Sequence, residues 1–282
     1  MNLLPLANIV QWMGLPELAS EHGAMIDHML NAVHWFMMAL FVFWTGFFFY
    51  VIFRFRSKKH PKADYHGMRS HFSTHLEFGV VIVEVVLLLG FAFPLWAKRV
   101  NAFPVDGRPI QVRATGYQFG WNFHYAGADR QFGPRSKEML SGLGDIGLDV
   151  REEEAKDDVT VPNLLRVPIN RPVIVQLGSL DVIHNLGLLN MRVSQDAIPG
   201  QEIPLWFTPT KTGEYEIICG QLCGSGHYSM RAILEVMPAE EYDAWLTQAS
   251  ADAIPISATK LEVFNKKAAE AKPNEAHEAQ NH

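Results

Sequence analysis

The two cysteines of the chain lie in one short stretch, "CGQLCGSGHYSM" at residues 219–230, which also contains a histidine and a methionine. Cys219, Cys223, His227 and Met230 follow one another at intervals of three or four residues. Thiolate, imidazole and thioether groups are soft or borderline donors, and as a set they favour copper. The stretch lies between two predicted strands, "GEYEIIC" and "RAILEVM", so it is predicted to be a hairpin loop that converges these side chains. The spacing therefore indicates a metal site.

A disulfide is the alternative, because two cysteines in an oxidising compartment commonly pair. A bond between Cys219 and Cys223 would close a very small loop. Such a bond stabilises little by chain entropy, since that effect grows with loop length. It would also leave His227 and Met230 without a role. The residues alone leave both interpretations open.

The donor set of the loop does not match a mononuclear blue-copper site, which needs one cysteine, two histidines and a weak axial methionine. Here one cysteine is surplus and one histidine is missing. Two thiolates can bridge two copper ions, and each ion then needs its own imidazole. We predict that His184 supplies the missing one, because it directly follows the predicted strand "RPVIVQLGSL". A lone histidine at that place is commonly structural, and only the cysteine loop makes it a candidate ligand.

The part of the chain after Lys98 consists of short β-rich runs that are bounded by proline and glycine. Several short strands without helices between them predict an antiparallel sandwich or barrel, which we place at residues 98–247. Residues 129–158 are poorer in apolar side chains and are predicted to be a surface loop or insertion. Residues 240–247 fit a short closing helix. Residues 248–282 have little to bury and are predicted to be a largely disordered tail.

Two apolar blocks precede this region, at about residues 30–53 and 76–97, and the second contains Glu84. About 20 apolar residues span the hydrocarbon core of a bilayer, so both blocks are predicted transmembrane helices that form a hairpin. The connecting loop, residues 54–75, is rich in lysine and arginine, which places it in the cytoplasm. Both termini, including residues 1–29, are then extracytoplasmic.

The overall composition hides this division, because the chain is 48% hydrophobic with a mean hydropathy of only +0.01. Its net charge of −6 and sequence pI near 6.0 argue against a nucleic-acid-binding protein, which normally presents a basic face. The first eleven residues lack a basic segment, so we expect no cleavable signal peptide.

The motifs "DVIH", "DAIPG" and "GEYEIICGQLCGSGHYSMRAILEV", after two predicted membrane helices, resemble subunit II of the haem-copper cytochrome c oxidases. The resemblance implies a cupredoxin-like Greek-key sandwich with a binuclear copper centre, copper A. It implies that His184 and His227 each bind one copper ion while Cys219 and Cys223 bridge the pair. Met230 and the backbone carbonyl of Gln221 would be weak axial ligands.

The resemblance also implies a function and a set of partners. The copper centre would accept electrons from a cytochrome c, either free or held in a complex, and pass them to haem in subunit I. Oxygen would be reduced to water in that partner chain of a proton-translocating oxidase. Subunits I and III and membrane lipid are the expected partners. A bacterial inner membrane with the copper domain on the periplasmic side is the expected location.

Three departures from the family pattern bear on finer roles. The family commonly has glutamate where this chain has Gln221, and that carboxylate also binds magnesium, so a magnesium site at the subunit I contact is doubtful. In "GYQFGWNFHY", Phe119 replaces the first of two tryptophans and Trp121 is the second; both are candidates for electron entry. In the second helix, Glu77 aligns with an acid that in the family stands at the entry of a proton pathway, but the Trp-Thr pair that follows it in the family is absent. Glu84 is a further candidate for that pathway, because ionisable groups in a membrane span are costly and commonly functional.

Two other functions are compatible with parts of the pattern. A membrane-anchored copper chaperone carries a similar cysteine pair, but its histidine follows the cysteines and its domain is of α/β type. A quinol oxidase subunit II is a scaffold that has lost the metal, which the intact ligand set argues against. The acidic residues 152–154, with Asp157 and Asp158, either steer a basic cytochrome by long-range attraction or form a solvated loop.

Overall fold

The computed structural model describes residues 12–62, 65–66, 70–142 and 144–278. Its contacts divide the chain into two units. A helical unit contains residues 23–102, and a sandwich unit contains residues 18–22 and everything from residue 103 onward. Predictions about residues 1–11, parts of the basic loop that include Arg69, and residues 279–282 fall outside the described residues.

The helical unit consists of two long apolar helices. The first, α1, covers Gly23–Arg54. The second begins as α2 at Phe72–Leu87, passes through a π-helical turn at Leu88–Ala92 and ends as α3 at Phe93–Asn101. Both are long and apolar enough to cross a membrane, and their apolar side chains are exposed on the unit rather than buried in it. A helix satisfies its own backbone hydrogen bonds, which is what the hydrocarbon interior requires.

The sandwich contains the strands of the described chain. In chain order these are β1 Ile110–Tyr117, β2 Gly120–Tyr125, β3 Val159–Pro162, β4 Leu164–Pro168, β5 Val173–Ser179, β6 His184–Leu188, β7 Val193–Ala197, β8 Ile203–Phe207, β9 Gly213–Cys219 and β10 Arg231–Met237. One sheet has the order β3-β2-β1-β5-β8 and the other β4-β10-β9-β6-β7. Neighbouring strands are antiparallel except for the pairs β1–β5 and β4–β10, which are parallel. The predicted class, an apolar helical pair followed by a β-sandwich, is confirmed.

The core lies between the two sheets and follows from strand alternation. Successive side chains of a strand point to opposite faces, and in β10 this buries Ala232, Leu234 and Val236 while Arg231 and Ile233 stay exposed. The same alternation along the other strands fills one hydrophobic cluster.

Strand β2 is an exception, because every one of its residues is buried. Trp121, Phe123 and Tyr125 belong to the core cluster. The alternate residues Asn122 and His124 therefore face the other side of the sheet, and a second layer must cover them. The Asn122 side-chain amide donates to the Gly144 carbonyl at 3.0 Å, which identifies the covering segment as residues 126–158.

This segment, predicted to be a surface loop or insertion, has a small hydrophobic cluster of its own. The cluster consists of Met139, Ile146, Leu148, Val150 and Ala155. Helix α4, Ala239–Glu278, packs Leu261 and Phe264 against it. Lys260 adds an ion pair to Asp145 at 3.1 Å.

Helix α4 differs from the prediction of a short helix at residues 240–247 followed by a largely disordered tail. The helix is continuous to Glu278. The two apolar residues of the helix that pack against this small cluster, Leu261 and Phe264, are three positions apart and so lie on one helical face. Two residues are too few to be recognised as a periodic pattern in the sequence. The cluster that they contact also lies more than a hundred residues earlier in the chain.

Residues 18–22 precede the first membrane helix but belong to the sandwich unit. The Ala19 N–H donates to the Asn190 carbonyl at 2.9 Å, and the Ala19 carbonyl accepts from Thr210 N–H at 2.8 Å. The Ser20 hydroxyl donates to the Met191 carbonyl at 2.7 Å. Residues 18–22 thus form a strap that the sandwich holds by backbone hydrogen bonds.

The acidic run is only partly a solvated surface. Asp158 is buried and accepts hydrogen bonds from His124 Nε2 at 2.7 Å and from the backbone N–H groups of Gly127 and Gly133. The Asp157 carboxylate accepts from the Ala128 N–H at 2.6 Å. Asp158 thus ties residues 126–158 to the sheet through His124, and Asp157 joins the two ends of that segment. The glutamates at residues 152–154 are exposed, so a steering role for the acidic run stays a prediction.

Burial keeps His124 neutral. Its side chain is fully buried, and removal from water lowers the pKa of His124 below its ordinary value, although the hydrogen bond to Asp158 acts in the opposite direction. A neutral imidazole that donates through Nε2 to Asp158 leaves Nδ1 unprotonated. Nδ1 has no hydrogen-bond partner among the described residues, which agrees with that tautomer.

We expect the stability of the sandwich to fall as the pH drops below about 6.5, where histidine in the unfolded chain takes up a proton that His124 in the folded state resists. The slope from one such group is at most about 1.4 kcal/mol per pH unit. The measurement is the thermal midpoint of the full chain in detergent from pH 5 to 8, by near-ultraviolet circular dichroism. His124→Gln is the control, because it removes this titration; equal slopes for both proteins would contradict the prediction.

A second prediction concerns the contact between α4 and the cluster of residues 139–155. Phe264→Ala should lower the local free energy of opening by about 1–2 kcal/mol, because Phe264 is only partly buried. Hydrogen exchange in residues 139–155 and 255–264 should then be about 5- to 30-fold faster. Val263→Ala is the matched control, because Val263 is 50% exposed. Equal exchange in both variants would show that the helix does not stabilise the cluster.

Candidate metal centre

Strand order and direction bring the predicted ligands together. Strand β9 ends at Cys219, and β6 begins at His184. The two strands are antiparallel neighbours with Leu186 opposite Cys219, so the start of β6 lies beside the end of β9. The loop from β9 to β10 then contributes Cys223, His227 and Met230 at the same end of the sheet.

The side chains form a compact set of sulfur and nitrogen donors. Cys219 Sγ and Cys223 Sγ are 3.9 Å apart. His184 Nδ1 is 4.0 Å from Cys219 Sγ, and His227 Nδ1 is 3.5 Å from Cys223 Sγ. Each thiol therefore has one imidazole of its own, as a pair of metal ions requires.

Two further donors complete the set. The thioether sulfur of Met230 is 3.7 Å from Cys223 Sγ. The backbone carbonyl oxygen of Gln221 is 3.3 Å from Cys219 Sγ. The side chain of Gln221 is exposed, and its Oε1 accepts from the Leu222 N–H at 3.2 Å. All six predicted metal-site residues thus lie in one cluster.

The centre is mostly shielded from water. His184 is fully buried, and Cys219, Cys223 and Met230 are 8%, 4% and 2% exposed. His227 is half-buried, so this imidazole lies at the boundary between the cluster and solvent. The two thiols are not joined by a disulfide.

The surroundings of the thiol pair disfavour its deprotonated, charged form. Burial, reinforced by the neighbouring Cys219, raises the pKa of the Cys223 thiol to about 11. Two thiolates side by side in a buried place repel each other and lose hydration. A metal ion reverses this balance, because it binds the deprotonated sulfur and releases the proton. The donor set, two thiols, two imidazoles and a thioether, fits copper.

A carboxylate behind His184 sets its orientation. His184 Nε2 donates to Asp181 Oδ1 at 2.8 Å, which leaves the Nδ1 lone pair facing the sulfurs. Burial opposes the charge on Asp181, but hydrogen bonds from His184 and from the backbone N–H groups of Val182 and Gln118 lower the pKa of its carboxyl group below the ordinary value. The carboxylate–histidine pair is the usual arrangement behind a metal-binding imidazole.

The two aromatic residues predicted for electron entry occupy different places. Phe119 is 37% exposed, and its ring lies directly on the loop: a Cβ added to Gly226 would be 2.4 Å from Phe119 Cδ2. Trp121 is fully buried, with its ring centroid 6.0 Å from that of His184. Only Phe119 can touch a molecule that docks from outside.

Glu77 and Glu84 belong to α2 in the helical unit and are exposed on it. They are not part of the sulfur and nitrogen cluster. Sequence reasoning missed Asp181 and Gln118 as neighbours of the ligands. The motif "DVIH" contained a signal for the first, since an aspartate three residues before a ligand histidine can reach its ring. No local signal marked Gln118.

Comparisons with known proteins agree with this architecture. Residues 110–237 match the family model described as "Cytochrome C oxidase subunit II, periplasmic domain". The "Alternative cytochrome c oxidase subunit 2" of Bradyrhizobium diazoefficiens is 31% identical over 224 residues, 79% of this chain and 79% of that protein. The cytochrome c oxidase subunit 2 of Cereibacter sphaeroides is 27% identical, over 77% of this chain and 76% of that protein.

A solved structure, the periplasmic domain of subunit II of cytochrome oxidase (CoxB) of Bradyrhizobium japonicum, is also similar. It is 26% identical and covers 51% of this chain and 94% of that chain, with a TM-score of 0.36.

A pair of apolar helices followed by a two-sheet sandwich with a thiol and imidazole cluster defines a membrane-anchored protein with a candidate metal centre. The sandwich has the predicted cupredoxin-like fold and matches the family's periplasmic domain. The chain belongs to the cytochrome c oxidase subunit II family. It is accordingly a subunit of a haem-copper oxidase.

We expect Gly226→Ala to displace the Phe119 ring, because the added Cβ would lie within 3 Å of three ring atoms. Overpacking of this kind costs about 1–3 kcal/mol. The expected result is faster hydrogen exchange in residues 221–230 of the full chain. Gly142→Ala is the control, because a Cβ there meets nothing within 4 Å. Unchanged exchange in Gly226→Ala would show that the ring does not hold the loop.

Proposed function

We propose that this subunit is the electron relay of its oxidase: it accepts electrons from a c-type cytochrome and passes them to haem in subunit I, where oxygen is reduced to water. The observation that carries the proposal is the pair of buried thiols 3.9 Å apart, each with an imidazole nitrogen within 4.0 Å. A mononuclear blue-copper site would need only one of these thiols. The geometry is therefore better matched by two ions.

The proposed cofactor is a binuclear copper pair, copper A. Cys219 and Cys223 would bridge the two ions, and His184 and His227 would each bind one. The Met230 thioether and the Gln221 carbonyl, the remaining donors of the cluster, would be weak axial ligands. When bound, the copper pair supplies a one-electron store whose charge change is spread over two ions and two sulfurs.

The role of the protein in this function is to hold the donor atoms in fixed positions and to exclude water from them. His184 is fixed at the start of β6 and by Asp181, and the cysteine loop is fixed at both ends by β9 and β10. Burial of the thiols limits how far water must rearrange when charge arrives or leaves. Preorganised donors in a water-poor site need little reorganisation, which favours rapid electron transfer.

Electrons would enter at the face that carries Phe119. The ligand loop that Phe119 touches carries two exposed large side chains, Leu222 at 78% and Tyr228 at 84% exposure. A cytochrome docked on this apolar face would reach the loop through Phe119, with the buried Trp121 behind it beside His184. Phenylalanine in place of the family's tryptophan suits a donor that is held close, such as a complex-bound or membrane-bound cytochrome.

The remaining proposed roles concern the membrane and the partner chains. The helical unit would dock on subunit I among lipids, with subunit III nearby, and the sandwich would face the periplasm of a bacterial inner membrane. Glu77 and Glu84 would serve a proton pathway into subunit I. Gln221 makes a magnesium site doubtful, because an amide is a much weaker ligand than a carboxylate for a hard cation.

The test is copper quantitation with electron paramagnetic resonance on the copper-loaded full chain in detergent. We expect two copper ions per chain and a seven-line hyperfine pattern, which reports an electron shared by two copper nuclei. Cys219→Ser and Cys223→Ser should each abolish the pattern, because one sulfur cannot bridge the pair in the same way. Ser225→Ala, an exposed change in the same loop, should leave it intact.

One copper ion with a four-line signal would contradict the relay and indicate a mononuclear site. A chain that binds no copper after full reduction of its thiols would contradict it as well. That outcome would favour a scaffold role like that of a quinol oxidase subunit.

A further inference from the structure

Three loops meet at the metal end of the sandwich, and one side chain from the β1–β2 turn contacts both loops that carry ligands. That side chain is Gln118, which is half-buried. Its Nε2 donates to the Cys223 carbonyl at 2.6 Å, and its backbone N–H donates to Asp181 Oδ2 at 2.7 Å. The other oxygen of Asp181 accepts from His184 Nε2 at 2.8 Å.

These hydrogen bonds form an unbroken path from one half of the metal centre to the other. It runs from His184 through the Asp181 carboxylate to the Gln118 backbone, and from the Gln118 side chain to the backbone of Cys223. The two ligand loops therefore share an anchor, although they leave the sheet from different strands. An anchor in a third loop, the tight turn between β1 and β2, limits independent motion of either.

The ligand loop is shaped to receive this amide. Gly224, the residue after Cys223, has φ +138°, a backbone conformation that side chains rarely adopt. A Cβ at this position would lie 2.8 Å from Gln118 Nε2. Only glycine therefore leaves enough room for the Gln118 amide to bind there. A charged acceptor could not replace the glutamine, because the group opposite is a carbonyl oxygen, which needs a donor.

We propose that Gln118 is a positioning residue for the metal centre: its two hydrogen bonds couple the His184 loop to the Cys223 loop and fix the spacing between the two halves of the donor set. The proposal rests on the proposed function, since it assigns a role at the same site. It binds no metal itself. Loss of the side-chain hydrogen bond leaves the Cys223 carbonyl without its donor from Gln118. The loop that contains Cys223 can then move independently of the loop that contains His184.

The test compares Gln118→Ala and Gln118→Glu with the wild-type full chain in detergent. Gln118→Glu keeps the size of the side chain, but an ionised carboxylate cannot donate to the Cys223 carbonyl. Both variants should lose copper to a chelator about tenfold faster, as expected for a group behind the ligands. Gln131→Ala is the matched control, because Gln131 is an exposed glutamine in a loop.

A second measurement separates positioning from an ordinary loss of stability. In the copper-free chain we expect faster hydrogen exchange in residues 181–184 as well as in residues 221–230, because the path joins the two loops. The thermal midpoint of the copper-free sandwich should stay near that of Gln131→Ala. Copper loss that rises only in proportion to a drop in that midpoint would overturn the proposal, as would exchange that changes in one loop alone.

A third measurement needs no variant and covers the case in which neither Gln118 variant folds. In the wild-type chain, the side-chain amide protons of Gln118 should exchange with water much more slowly than those of Gln131, as seen by 15N nuclear magnetic resonance. Equal rates would overturn the proposal. If the wild-type chain binds two copper ions while the Gln118 variants match it in every respect, the relay stands and the role of Gln118 falls.

Discussion

The structure depends on keeping two sulfur atoms close together in a buried place that disfavours their charged forms. Burial raises the pKa of the Cys223 thiol, and Cys219 adds to the effect. Two bare thiolates are therefore unfavourable there, and a bound cation would be needed to stabilise the deprotonated sulfurs. Strand pairing brings the sulfurs and imidazoles to one end of a sheet. The close-packed core beneath them keeps that end from moving.

The surroundings of the centre divide into a stiff interior and an exposed rim. The interior is held by hydrogen bonds with little access to water, of which the Asp181–His184 bond is the clearest. The rim consists of aromatic and aliphatic side chains, among them Phe119 and Tyr228. Under the proposed function, a partner could contact the rim without disturbing the interior, so docking and electron transfer would depend on different residues.

The sequence predicted the features that depend on local spacing. Cys219, Cys223, His227 and Met230 form the centre from one short loop, and the alternation of apolar residues predicted the strands. The features that escaped prediction join distant parts of the chain. Gln118 and Cys223 are 105 positions apart, and Lys260 and Asp145 are 115 apart. His184 was found despite its distance only because a second copper ion needs a second imidazole.

The strap at residues 18–22 makes the sandwich a discontinuous domain. The chain enters the sandwich at the strap, leaves it for the helical hairpin, and returns at residue 103. The strap is synthesised before the helical hairpin, and its hydrogen-bond partner Thr210 is synthesised after it. The sandwich can therefore bind the strap only once both helices have been synthesised.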